Sequence, residues 1–341
     1  MAKARVGLKD IAELSGVSVG NVSMVLRGLG DKARISASSQ ERIFKAARQL
    51  NYKPNVYAQR LRLQNADKLI IAVFFASSPR VNVMGSFFSG IHELLCGIKQ
   101  EVKPEVTLHP YVRGKLFEQD HLIHQGCFDG MLCMGMSSED MDYLESINIS
   151  APIVVFNRVS IHHHYVYADN GNVGQIAARV FFKFGVHNVC LVTGQSVTTA
   201  GNERQNGFVS ECARLGLSLP EEMILHVPPC YEGGFQAAQR LLNAAHLPDA
   251  VFFSENEMAV PAQYELLHHS IRIPEQLRII CYSCNDNDFY AIPSLSNIQI
   301  PMEEMSRDCL ILLQKAIQNS QSGQMYIVHK PILVLGESTG K

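Results

Sequence analysis

Arg204, Asn157, Glu255 and Asn256 are the polar side chains best placed to hold a small molecule. Asn157 follows the apolar run Pro152–Phe156, and Glu255 and Asn256 close the run Ala250–Ser254. Both runs read as buried strands, and open α/β sheets gather ligands at the carboxyl ends of their strands. The Arg204 guanidinium is a rigid fork of donors that can grip two neighbouring hydroxyls, with an ion pair to Glu203 as its competing role. A carboxylate such as Glu255 accepts from two hydroxyls. Phe74, Phe75, Tyr231 and Tyr282 offer flat faces for stacking, although the phenylalanines equally suit a core.

This is binding chemistry rather than reaction chemistry. No G-x-S-x-G elbow, phosphate-cradling loop or paired catalytic set occurs, and Gly194-Gln195-Ser196 and Gly233-Gly234 stand isolated. Cys281 and Cys284 form a C-x-x-C without a second ligand pair, and read as small residues at a strand end. His162-His163-His164 and His268-His269 lack the i, i+4 spacing of a metal site and read as surface residues. The expectation is a protein with no metal, no cofactor and no enzymatic activity.

A second constellation lies near the N-terminus. Leu8, Ile11, Ala12 and Leu14 fall near one face of a short helix. Ser15-Gly16-Val17 then makes a tight turn in which Gly16 takes positive φ. Ser18 is a good N-cap for a second helix, Val19–Leu26. There Val22, Val25 and Leu26 face inward, while Val19, Gly20, Asn21, Ser23, Met24 and Arg27 face outward. Two short helices joined by a glycine turn make the helix-turn-helix pattern. A third helix runs from Ser38 or Ser39 to Leu50, and Ile35–Ser39 offers hydroxyls and helix N-terminal amides suited to phosphate.

Charge supports that reading. The net charge of −2 hides an asymmetry: residues 1–68 hold 13 Lys and Arg against 5 Asp and Glu, or +8, and residues 69–341 hold 17 against 27, or −10. A basic segment ahead of an acidic body suits a nucleic-acid-binding module joined to something else. With 341 residues, the chain exceeds what one hydrophobic core usually supports. No apolar run approaches membrane-spanning length, no export signal is apparent, and the nine cysteines are expected to be reduced. A cytoplasmic location is expected. From Leu69 onward, apolar strands and helical runs alternate, which argues for doubly wound parallel sheets in two facing subdomains.

Asp10-Ile11-Ala12, Ser15-Gly16-Val17-Ser18 and Val22-Ser23-Met24-Val25-Leu26, followed by Arg34-Ile35-Ser36 and Leu50-Asn51-Tyr52-Lys53-Pro54-Asn55, resemble the headpiece of the lactose-repressor/galactose-repressor (LacI/GalR) family. The likeness continues through Phe128-Asp129-Gly130, Pro152–Arg158, Asp169-Asn170 and Arg204–Phe208. It implies a helix-turn-helix headpiece with a hinge helix, then a periplasmic-binding-protein-like core. The implied domains are 1–62 (hinge about 55–62), a linker at 63–68, and a body at 69–341. Within the body, one subdomain takes about 69–167 and 297–325, and the other about 168–296 and 326–341.

The resemblance also implies roles. Val19, Gly20 and Met24 fall where base edges are read in the major groove. Gly20 and Met24 replace the usual polar readers, so Val19 and Met24 are expected at thymine methyls and Asn21 at adenine or phosphate. Ser18, Asn21, Ser23, Arg27, Ser36, Ser39 and Asn55 match phosphate contacts. Ala58 lies in the hinge, and Leu61 matches the residue that wedges into a minor-groove step. Arg204 and Asn157 match effector-binding positions. Glu255-Asn256 reverses the family's usual order of amide and acid. Ser283 stands where the family usually has aspartate, with Asp286 or Asp288 as substitutes, and Ile300 replaces a common glutamine.

The implied partners are double-stranded operator DNA, a small-molecule effector (a sugar) and a second copy of the chain. The competing readings are a nucleobase or nucleoside corepressor, and a sugar-binding protein without DNA-directed regulation.

Overall fold

The computed structural model describes residues 8–26, 30, 33–50, 69–77, 81–97, 104–124, 128–194, 199–283, 290–318 and 323–340. The hinge segment, the linker, Arg27, Asn55, Ala58, Leu61, Asp286 and Asp288 lie outside them. The chain divides into two compact units, Met1–Ala66 and Asp67–Lys341.

Among its described residues the first unit has three helices: α1 (Leu8–Ser15), α2 (Val19–Leu26) and α3 (Ala37–Gln49). Gly16 takes φ +64° in the turn between α1 and α2, a conformation that costs glycine nothing. The Ser18 hydroxyl accepts from the Asn21 amide at 3.3 Å and caps α2. Ser36 caps α3 in the same way, accepting from the Ser39 amide, so that helix begins one or two residues earlier than its sequence suggests. Ile11, Ala12, Val22, Val25, Ile43, Ala46 and Ala47 form a small apolar core. Leu14 does not join it and is 52% exposed: it sits three residues beyond Ile11, at the margin of the buried stripe.

The second unit contains two six-stranded sheets. The first has the order β11-β5-β4-β3-β1-β2 and is parallel throughout. Its strands are β1 (Ile70–Ala76), β2 (Glu105–Tyr111), β3 (Gly130–Met134), β4 (Ile153–Phe156), β5 (His164–Ala168) and β11 (Tyr326–His329). The second has the order β12-β10-β9-β8-β6-β7 and is parallel except where β12 meets β10. Its strands are β6 (Val189–Gly194), β7 (Ile224–Val227), β8 (Ala250–Phe253), β9 (Arg278–Ser283), β10 (Ser296–Gln299) and β12 (Ile332–Val334). β1, β3, β4, β6 and β8 are buried almost end to end, as strands covered on both faces by helices must be.

The helices that matter for the site are α4 (Val81–Gly97), α6 (Ser138–Ser146), α7 (Asn170–Lys183), α8 (Thr199–Leu215), α9 (Tyr231–Leu242), α10 (Asn256–His268) and α11 (Met302–Gln318); a shorter α5 (Asp120–His124) precedes β3. The chain passes from the first sheet to the second after Ala168, back after Gln299, and again after His329. This places two segments differently from the expected division. Asn297–Gln299, expected in the first subdomain, pairs with β9 in the second sheet, and Tyr326–His329 pairs with β5 in the first. Among the described residues, no helix is long and apolar enough to cross a membrane.

Candidate effector cleft and DNA-facing helix

A cleft opens within the second unit where the carboxyl ends of β1, β3 and β4 face the start of α8 and the end of β9. Ala76, Met134, Phe156 and Asn157 line it from the first sheet, and Thr199, Ala200, Arg204 and Tyr282 from the second. Its free volume is about 120 Å³.

The lobe carrying Arg204 is assembled by close helix contact. Gly174 on α7 and Gly207 on α8 let the two backbones touch. A Cβ at Gly174 would collide with the Arg204 carbonyl, and one at Gly207 with the Gly171 carbonyl. Their glycines thus set where Arg204 stands. Its side chain is 1% exposed, and three of its donors are engaged. Nε donates to the Ser254 carbonyl at 2.9 Å, Nη1 to Asn170 Oδ1 at 3.0 Å, and Nη2 to Glu255 Oε1 at 3.1 Å. The guanidinium carbon lies 3.9 Å from the centre of the Tyr282 ring, an arrangement that favours a cation.

Asn157 extends this network across the cleft. It sits at φ +53°, a left-handed conformation that asparagine tolerates better than most residues. Its Oδ1 accepts from the Asn170 amide group at 3.2 Å and from the Ala168 backbone at 3.3 Å. Asn170 therefore bridges Asn157 and Arg204. Sequence reasoning passed over Asn170 as a site residue; its place directly after the α7 cap Asp169 was the available signal.

The other expected effector residues lie elsewhere. Glu255 is 2% exposed and spent on Arg204, so its carboxylate balances the arginine instead of facing the cleft. Ser283 is fully buried at the end of β9, and its carbonyl accepts from the Ile300 amide. Phe75 points its ring edgewise at Phe88, as strand alternation turns it away from the wall that Ala76 lines. Tyr231 is 66% exposed at the start of α9, which follows the edge strand β7. For Asn256, only the backbone is described, as the first residue of α10.

Arg113 and Arg158 also line the cleft, and neither was singled out as a ligand residue from the sequence. Arg158 Nη1 donates to the Met136 carbonyl at 2.8 Å. The loop bearing Arg113 is fixed by Asp140, which accepts from the Gly114 amide at 3.0 Å and the Leu116 amide at 2.9 Å. Asp140 also closes a capping box with Ser137 at the start of α6, so one buried carboxylate ties that loop to a helix end.

Burial pushes the Cys133 and Cys190 thiols up to about 12, which keeps them protonated and unreactive at neutral pH. Glu304, Asp308 and His329 bring possible metal ligands within 4.8 Å of one another. His329 Nε2 lies 2.9 Å from Asp308 Oδ2, and this pair ties β11 to α11.

In the first unit, Val19, Gly20 and Asn21 stand exposed on the first turn of α2, while Ser23 and Met24 are half-buried. A side chain at Gly20 would meet nothing within 4 Å, so that face is open. The Ser18 oxygen accepts from Asn21, which leaves its hydroxyl proton to donate outward. Ser36 donates to Ser39 at 2.9 Å, and Ser39 keeps a proton of its own for an outside acceptor.

Comparison with known proteins places both units. The profile of bacterial regulatory proteins of the lacI family matches residues 7–55, and that of the periplasmic binding protein-like domain matches residues 178–339. The probable HTH-type transcriptional repressor ExuR of Bacillus subtilis is 28% identical over 306 residues, covering 88% of each chain. A LacI family transcription regulator from Clostridium acetobutylicum superposes with a TM-score of 0.74 at 26% identity, over 78% of this chain and 99% of that one. The lac repressor dimer bound to operator and an anti-inducer superposes with a TM-score of 0.66 at 18% identity, over 98% of this chain and 99% of that one.

Proposed function

Since the chain belongs to the lacI family of bacterial regulatory proteins, it is a DNA-binding transcription regulator that answers to a small molecule, and we propose the parts it uses. It acts as a repressor, in the cytoplasm where the operator is, and binds a pseudo-palindromic site as a homodimer. Two headpieces related by a two-fold axis match two half-sites. The observation that carries this reading is the pairing of an outward-facing α2 with a cleft at the carboxyl ends of parallel strands.

At the DNA, Val19 and Met24 meet thymine methyls, and Asn21 bonds adenine or phosphate. The protons of Ser18 and Ser39 reach phosphates, alongside Ser23 and Ser36. Gly20 lets the backbone of α2 approach the groove closely.

In the body, the effector binds between Asn157 and Arg204. A free volume of about 120 Å³ is below the roughly 300–1,000 Å³ of ordinary ligand pockets, so a sugar-sized effector must part the lobes to enter. An effector that prefers the parted arrangement shifts the body towards it, and the headpieces then read the operator differently. Arg204 keeps its three internal partners while its remaining N–H groups face the ligand.

Ala200→Phe tests the cleft. It places a bulky ring at a half-exposed wall position of the cleft. Operator affinity should stay within about threefold of the wild type while the effector no longer changes it. An undiminished effector response in that variant would refute the assignment.

A further inference from the structure

The cleft wall is cationic. Among its described lining residues are three arginines, Arg113, Arg158 and Arg204, and no aspartate or glutamate. The charge of Arg204 is met by Glu255. No carboxylate among the described residues lies within ion-pair distance of Arg113 or Arg158. Arg158 is half-buried, and among the described residues its guanidinium is bonded by the Met136 carbonyl alone. Glu203 is the largest acidic influence on it, with Asp140 and Asp142 behind, and the Glu203 side chain accepts from the Tyr167 hydroxyl at 3.1 Å. Two guanidiniums line one cleft with no ion-paired carboxylate among the described residues, an arrangement that a neutral ligand leaves unpaired.

We propose that the effector is an anion, and that Arg113 and Arg158 together clamp its carboxylate or phosphate group. This rests on the reading of the cleft as the effector site. The geometry suits an oxyanion for three reasons. Both arginines follow the carboxyl ends of strands of the first sheet, one after β2 and the other after β4 with two strands between them, and both side chains line the cleft. The Arg113 loop is held in place by the buried Asp140, so its guanidinium is presented on a fixed backbone. The planar fork of arginine matches the oxygen pair of a carboxylate or phosphate better than it matches scattered hydroxyls.

The floor beneath the clamp is apolar. Met84, Met134, Met136 and Met302 contribute to it with Val83 and Phe156. Methionine adapts to irregular shapes but supplies no strong hydrogen bond. A ligand with an anionic head and an apolar face fits this wall, and a neutral polyhydroxylated ring meets too few partners there. Burial, and next the neighbouring Arg113, hold the Arg158 guanidinium below its ordinary pKa against the pull of Glu203. A bound anion offsets both effects by favouring the charged guanidinium.

The test uses the full-length protein at constant ionic strength, with inorganic phosphate, D-glucuronate, D-glucose 6-phosphate and D-glucose as probes. Affinity is read by calorimetry and thermal shift. At least one anionic probe should bind the wild type more tightly than glucose does, and Arg113→Gln and Arg158→Gln should each weaken it at least tenfold. Arg113 is exposed, so Arg113→Gln keeps the fold and keeps the test decisive. Response to glucuronate alone identifies a carboxylate, and response to the phosphates alone identifies a phosphoryl group.

Absence of binding by all three anions overturns the proposal, as does anion binding that both glutamine variants leave unchanged. Glucose binding that is lost in Ala200→Phe but kept in Arg113→Gln overturns the anion clamp and leaves the cleft standing. Anion binding that survives Ala200→Phe overturns the cleft reading itself.

Discussion

Arg204 commits three N–H groups to the protein before any ligand arrives, and that makes it a structural residue whatever it binds. Its partner Glu255 is buried at the opposite end of the bond. Removing only the arginine leaves that carboxylate without its counter-ion in a dry site. Arg204→Ala should therefore cost about 3–5 kcal/mol of stability in urea unfolding, and the double variant Arg204→Ala/Glu255→Gln should recover part of the loss. A cost below about 1 kcal/mol in the single variant would contradict the account. Residue type and nearby strand ends singled out Arg204 and Asn157, and both line the cleft. The Glu255 bond could not be read in this way, because its partners lie 51 residues apart. Arg113 and Arg158 were equally hidden, since an arginine in a loop looks like any solvated charge until its neighbours are known.

At the scale of elements, periodicity and caps were the legible part. The three headpiece helices follow from their apolar spacing, from Gly16 and from Ser18. The long buried strands of the body follow from continuous apolar runs such as Ile70–Ala76. Short edge strands were harder. Tyr326–His329 is only partly covered, and Ile224–Val227 closes the far edge of its sheet, so neither carries a strong apolar run. The three consecutive histidines suggested a surface loop, yet His164 begins β5 and its Nδ1 accepts from the Met325 amide at 2.9 Å, which docks β11 beside it. The glycines that bring α7 against α8 gave no periodic signal, because their role is the absence of a side chain.

The α7–α8 pair also carries a pH dependence. Glu211 on α8 is bonded by Arg214 at 2.7 Å and by Arg179 of α7 at 2.6 Å. The Arg214 bond first, and then Arg179, pull its carboxyl down to about 2 against the opposing effect of burial. A carboxylate depressed in the folded state adds stability above its unfolded value near 4.3, and that contribution disappears as pH falls through the folded value. The network should therefore fade between about pH 4.3 and 2. Both arginines are largely solvated, so the contribution is discounted to about 1–2 kcal/mol near neutrality. Glu211→Gln should lose that amount at pH 7 and almost none near pH 2. Equal losses at both pH values would contradict the assignment.

At the scale of the whole molecule, the charge split between a basic first segment and an acidic body fits DNA contact by the headpiece. The two-sheet architecture was legible from the alternation of strands and helices. The chain crossings after Gln299 and His329 were displaced from expectation because short strands at those positions carry the switch. The central claim is sequence-specific DNA binding, and it is tested most directly by selecting duplexes from a random pool with the full-length protein. Affinity for the selected duplex and for its scrambled counterpart is then compared by fluorescence anisotropy between 50 and 200 mM salt, values that span roughly the range over which phosphate contacts lose most of their strength. The account predicts a two-fold-symmetric site bound at least about 10³-fold more tightly than the scrambled duplex, with both affinities falling as salt rises. Equal affinity for the two duplexes across the titration would contradict it.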